Sequence, residues 1–268
     1  MTRASSSDEK YLALIRSALR VCLDYTPAFG QGKGDGITLA RFQQIYGADE
    51  FYSWFGLDSP LVYAAHKAAG GMTSVYRQIG LGCQLIFQRV LEDTLGLSPA
   101  EAIWSYNVRV RGARDRKLAL DGRIPLDKIA DPMARDRCAA WLAEASKAVG
   151  LPHRSTEALD GCVFEVRQGY KSNDAKRQNA DISNAANAFA YRYLPVMLIL
   201  SLQIPGNLAA RYARAHWLIL RGTLHGGPTD STYVFCRDVL GYDLVGFFRR
   251  NSKAIRIETL AVFEGLLR

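Results

Sequence analysis

The chain has 268 residues, 49% of them hydrophobic, enough to bury a sizeable core as one large domain with insertions or as two intimate ones. Lysine and arginine number 34 against 26 acids, a formal net charge of +8, so a polyanionic partner is favoured and nucleic acid leads. Cys22, Cys83, Cys138, Cys162 and Cys236 are widely spaced, with no CxxC pair and no histidine cluster beside them, which speaks against zinc and for reduced, mostly buried thiols.

Arg3, Asp8, Glu9 and Lys10 stand where a signal peptide needs an apolar stretch, and the longest apolar stretch, 194–202, is far short of the roughly 20 residues that span a bilayer. A soluble cytoplasmic protein without a membrane partner is expected. A first helix is predicted over 8–23, with Leu12, Ile15, Leu19 and Leu23 on one face. Residues 26–36 have the glycine density of a loop, and Gly30-Gln31-Gly32-Lys33-Gly34 lacks the spacing of a phosphate-binding loop. Residues 38–80 mix aromatics with glycine and proline and show no assignable period.

From Leu81 the pattern sharpens. Leu81, Leu85, Ile86, Phe87, Val90, Leu91 and Leu95 make a broad apolar stripe that stops at Gly96, predicting a core helix. Strands are predicted over 104–111 and 117–124, the second carrying Asp121-Gly122. Asp131-Pro132 opens a helix over 131–150, stopped by Gly150. A strand over 162–167 puts Glu165 and Arg167 on one face by the two-residue repeat. Asp174 is placed to cap a helix with Ile182, Ala185, Ala186 and Phe189 on its apolar face. A buried strand over 196–202, a helix over 207–216, the apolar run 217–220 and two or three helical stretches follow. The fold expected is α/β, a central mixed sheet flanked by helices, with helical additions at both ends. Its regions are 1–80, helical and loop-rich; 81–223, the core, with an inserted helix at 131–150; and 224–268, helical.

Cleaving a phosphodiester requires that a non-bridging oxygen be neutralised, an attacking water be made more acidic and the leaving alkoxide be stabilised; Mg²⁺ held by carboxylates supplies all three. Asp121 and Glu165 are the acids that neighbouring strands bring together, and Arg167 points the same way. Asp160, in a turn before the same strand as Glu165, is the rival first acid. The plain alternative makes Asp121 a turn residue and Glu165–Arg167 a solvated pair.

Asp121 followed by Glu165-Val166-Arg167, set between two helices, resembles the PD-(D/E)XK nuclease superfamily over roughly 81–223. The resemblance implies a restriction endonuclease-like core in which Asp121 and Glu165 bind Mg²⁺, and a site-specific double-stranded DNA endonuclease of the type II restriction class. It also implies a lysine two positions after the second acid. Here that residue is Arg167, whose guanidinium stays charged and cannot act as a base, though it can clamp a phosphate oxygen. Lys171 lies on the same face of an extended strand and is the expected substitute or partner. Gln84 is the polar residue aligned with the acid that the family often carries on its first core helix.

Ser172, Asn173, Lys176, Arg177, Gln178 and Asn179 concentrate groups suited to phosphates and base edges, and Asn184 and Asn187 continue that face; Arg109, Arg111, Arg114 and Lys117 would add a backbone-tracking strip. Both stretches also read as ordinary solvated surface. The histidines His66, His153, His216 and His225 are scattered and show no metal-binding spacing. A homodimer is expected because cutting both strands is most simply done by two copies about a two-fold axis. Ile257, Leu260, Ala261 and Phe263 either provide that contact or cap the core. A repair nuclease on the same core and a DNA-binding protein without cleavage remain open.

Overall fold

A computed structural model describes residues 6–29, 36–108, 116–169 and 175–267. The chain divides into two units: Met1–Gly82 with Arg250–Arg268, and Cys83–Arg249. Helices α4 and α11, given below, run across the division.

The first unit is helical. Helix α1 (Ser6–Arg20) buries Leu12, Ile15 and Leu19, whereas Leu23 lies beyond its end and is exposed. Asp8 is buried at the start of α1 and takes a two-pronged bond from Arg250, at 2.7 and 3.0 Å, with Asn251 beside it at 3.3 Å. Helices α2 (Leu39–Gly47) and α3 (Glu50–Trp54) are capped by Thr38 and Asp49. Helix α4 (Pro60–Leu95) spans 36 residues, so most of the stretch without an assignable period is helix.

The second unit is α/β. Short helix α5 (Pro99–Ala102) leads into β1 (Trp104–Val108) and β2 (Arg116–Leu120), which pair antiparallel as a separate two-stranded sheet. The strand predicted over 117–124 is therefore two. It breaks at Asp121, and β3 (Gly122–Pro125) joins a different sheet. After α6 (Pro132–Ala148), capped by Asp131, and α7 (His153–Glu157) come β4 (Gly161–Arg167), α8 (Ala175–Ala190) and β5 (Tyr193–Ile199). Helix α9 (Gly206–Arg214), β6 (Leu218–Leu220), α10 (Thr232–Asp238) and α11 (Leu244–Leu267) complete the order. Asp174 and the stretch 30–34 lie outside the described residues.

The main sheet has the order β3-β4-β5-β6, antiparallel at β3-β4 and parallel thereafter. β5 starts earlier than its apolar run suggests and includes Pro195; β6 begins only opposite Val196, so on that side Pro195 has no ladder to complete. β4 is buried on both faces, which explains its nearly unbroken apolar character. Val163 belongs to a core with Ala185, Ala188, Leu208, Tyr212 and Trp217, on the side of α8 and α9. Phe164 points the other way, its ring 4.9 Å from Phe87 and 5.7 Å from Phe235. The two-residue repeat then assigns Glu165 and Arg167 to the α8 and α9 side. Among the described residues no helix is long and apolar enough to cross a membrane.

Candidate active site

Asp121 is the single residue between β2 and β3. The pairing Gly122↔Phe164 continues outward to set Asp121 opposite Glu165. The Asp121 carboxylate accepts the Val166 N–H at 2.9 Å, the amide of the peptide that joins Glu165 to Val166. Two acids far apart in sequence thus meet at one end of the sheet, the carboxyl end of β4, where ligands of open α/β sheets gather. On the other side of Asp121, Gln88 of α4 donates to its backbone carbonyl at 2.6 Å. Gln84, the helix residue expected near the site, sits one turn earlier and is half-buried. A Cβ on Gly122 would come within 2.8 Å of the Phe87 ring, so the close seat of α4 beneath this corner depends on glycine there.

Arg167 occupies the position where the resemblance implies lysine. Its Nη2 is ion-paired directly with Glu165 and lies 3.5 Å from Asp181 of α8. Asp181 is 3% exposed, and its other oxygen accepts the Tyr212 hydroxyl of α9 at 2.6 Å. β4, α8 and α9 therefore share one polar chain running Glu165, Arg167, Asp181, Tyr212. Nothing in the sequence reading singled out Asp181 or Tyr212. The signal available was a carboxylate in the buried stripe Gln178, Asp181, Ala185, Ala188 of α8.

The other expected residues separate into several places. Asp160 sits at the opposite end of β4, about 16 Å from Glu165 at the usual strand rise, and is ion-paired to Arg192 at 2.5 Å. Gln178 is buried and Asn179 exposed, and both accept from Arg211, at 2.5 and 2.6 Å, so Gln178 braces α8 against α9. Asn184 takes the hydroxyl hydrogen of Tyr106 at 2.5 Å and Asn187 donates to the same hydroxyl at 3.4 Å, which ties the β1-β2 hairpin to α8. Lys117 is exposed on β2. Arg109, Arg111, Arg114, Lys171, Ser172 and Asn173 lie outside the described residues, as do the side chains of Lys176 and Arg177 at the start of α8. His216 bonds the Val149 carbonyl at 2.8 Å and His66 packs on Phe29, both ordinary packing roles.

Whether the site suits a divalent ion turns on its donors. Asp121 and Glu165 offer hard carboxylate oxygens from facing backbone positions, and Mg²⁺ is commonly held by one or two carboxylates with water and substrate phosphate completing the shell. Among the described residues no set of three or more His, Cys, Asp or Glu is placed to cage a metal. The pair fits a substrate-sharing Mg²⁺ rather than a closed structural ion. Comparisons of the chain with protein-family models, with characterised proteins and with solved structures find no match, so function has to be read from the residues themselves.

Proposed function

We propose that the chain is a Mg²⁺-dependent deoxyribonuclease with a restriction endonuclease-like core, cutting double-stranded DNA at specific sites as a type II restriction enzyme does. The observation that carries this reading is the Asp121–Val166 contact, which sets the Asp121 carboxylate beside Glu165 at the end of a buried strand. The order α4, β3, β4, α8, β5 around that pair and the net charge of +8 support it. Held by the two acids, Mg²⁺ would supply charge neutralisation at a phosphate oxygen and a more acidic attacking water. Asp121 and Glu165 would hold that ion, and Arg167 would supply a fixed positive charge for a second phosphate oxygen. Burial of β4 on both faces keeps bulk water from competing for these charges.

A homodimer suits cleavage of both strands. Ile257 and Leu260 of α11 are 59% and 56% exposed, while Val262 and Leu266 fill the buried face, so the exposed pair is available for such contact. A second reading, a DNA-binding protein without cleavage, is favoured by one observation, the ion pair that ties Arg167 to Glu165. Incubation of the purified chain with plasmid DNA and Mg²⁺, beside a chelator control, separates the two. Discrete bands support the restriction nuclease; an unchanged plasmid together with a gel shift supports the binder.

A further inference from the structure

The polar chain that crosses β4, α8 and α9 bears on a difficulty in the proposed chemistry. A guanidinium ion-paired with Glu165 competes with any divalent ion for the same carboxylate, because one carboxylate cannot satisfy both cations fully. When Glu165 turns to a metal, an arginine with no other anchor would swing into solvent and lose its place beside the acids. Asp181 changes that outcome. It is buried, it lies 3.5 Å from the same Nη2 that meets Glu165, and the Tyr212 hydroxyl fixes its far oxygen at 2.6 Å. A tyrosine buried at 0% in the core cannot follow a moving side chain, so the carboxylate it holds is a stationary one.

We infer that Asp181, fixed by Tyr212, is the positioning residue that retains Arg167 beside the acidic pair when Glu165 engages a divalent ion, making arginine serve where a lysine is expected. This rests on the nuclease reading. Lysine presents one compact charge and approaches one carboxylate; the planar guanidinium presents several donors and can face Asp181 and a phosphate oxygen together. The buried acid on α8 and the arginine on β4 are therefore a matched pair.

The test uses the full chain and two readouts: calorimetric titration with Ca²⁺ alone, and kcat and KM for plasmid cleavage with Mg²⁺. Asp181→Asn removes the second carboxylate beside Nη2, so Arg167 yields Glu165 to an ion less readily and is not kept in place afterwards; Ca²⁺ affinity falls by about tenfold and kcat falls further, with KM changed little. Tyr212→Phe alters no charge, keeps the ring in place and moves both readouts the same way by less, which preserves the test if Asp181→Asn does not fold. With Arg167→Ala already present, Asp181→Asn changes Ca²⁺ affinity by less than about twofold, because the guanidinium it positions is gone. Variants that lose thermal stability but keep wild-type Ca²⁺ affinity and kcat, or effects that simply add in the double variant, overturn the positioning role. A wild-type chain that neither binds Ca²⁺ nor cuts DNA overturns the nuclease reading instead.

Discussion

Gln88 and Asp121 are joined at 2.6 Å, the helix side chain donating to the backbone carbonyl of the residue whose own carboxylate reaches the Val166 amide. Asp121 is thus held from both sides, by α4 through its main chain and by β4 through its side chain. That double restraint gives the carboxylate a fixed position without a rigid rotamer of its own.

Asp121→Asn and Glu165→Gln are each expected to lower plasmid cleavage by more than about a hundredfold while leaving DNA affinity within a few-fold of wild type, since on the proposed reading each removes a carboxylate that would hold Mg²⁺. Gel shift beside a cleavage time course checks this. Either variant cutting at the wild-type rate would mean that the acidic pair is not the reacting centre.

Gly122→Ala is expected to destabilise the chain and weaken cleavage together. The added methyl meets the Phe87 ring at 2.8 Å and Leu91 at 3.5 Å, and relief requires α4 to shift, carrying Gln88 away from Asp121. A cost of about 1–3 kcal/mol follows from overpacking of this kind. Chemical denaturation beside the cleavage rate measures both effects, and a variant with normal stability shows that the corner has slack.

Phe164→Ala is expected to cost about 3–5 kcal/mol, the range for emptying a large buried aromatic site. Phe164 is fully buried between Phe87 and Phe235, whose ring in turn lies 4.5 Å from Trp141. Equilibrium unfolding in urea provides the measurement; a loss below 1 kcal/mol would show that the rings close over the gap.

Alkaline pH is expected to unfold the chain. Burial pushes the Cys83 and Cys236 thiols up to about 12 and Cys138 up to about 11, from an ordinary value near 9. Between those limits the unfolded chain has released protons that the folded chain retains. Stability is therefore fully present below pH 9 and lost as pH rises toward the folded values. A thermal melt at each pH from 7 to 11 should show a midpoint that is flat and then falls. All five cysteines are buried and free, so a thiol reagent at neutral pH should label them only after denaturant is added.

Much of the second unit was legible in the sequence because its elements follow simple periods. The stripe ending at Leu95, the Asp131 cap and the apolar run around Val163 need only local rules. The long helix before Leu81 was not legible, since Gly70 and Gly71 look like breaks. They are contact points instead: a Cβ on Gly70 would strike the Tyr25 hydroxyl at 1.9 Å, and one on Gly71 the Leu266 side chain at 2.7 Å. Partners far away in sequence decide such residues, and periodicity does not see them. Gln178 misled in the same way, a polar residue read as DNA-facing that Arg211 holds inside. Asp181 hid because a carboxylate on a helix reads as surface until its cation is known.

β2 ends at Leu120 and β3 begins at Gly122, so the backbone passes from one sheet to the other through one amino acid. A single inserted or deleted codon within 116–125 would put one ladder out of step with its partner and turn a whole strand's side chains over. Related chains that share this corner should therefore keep that stretch at constant length.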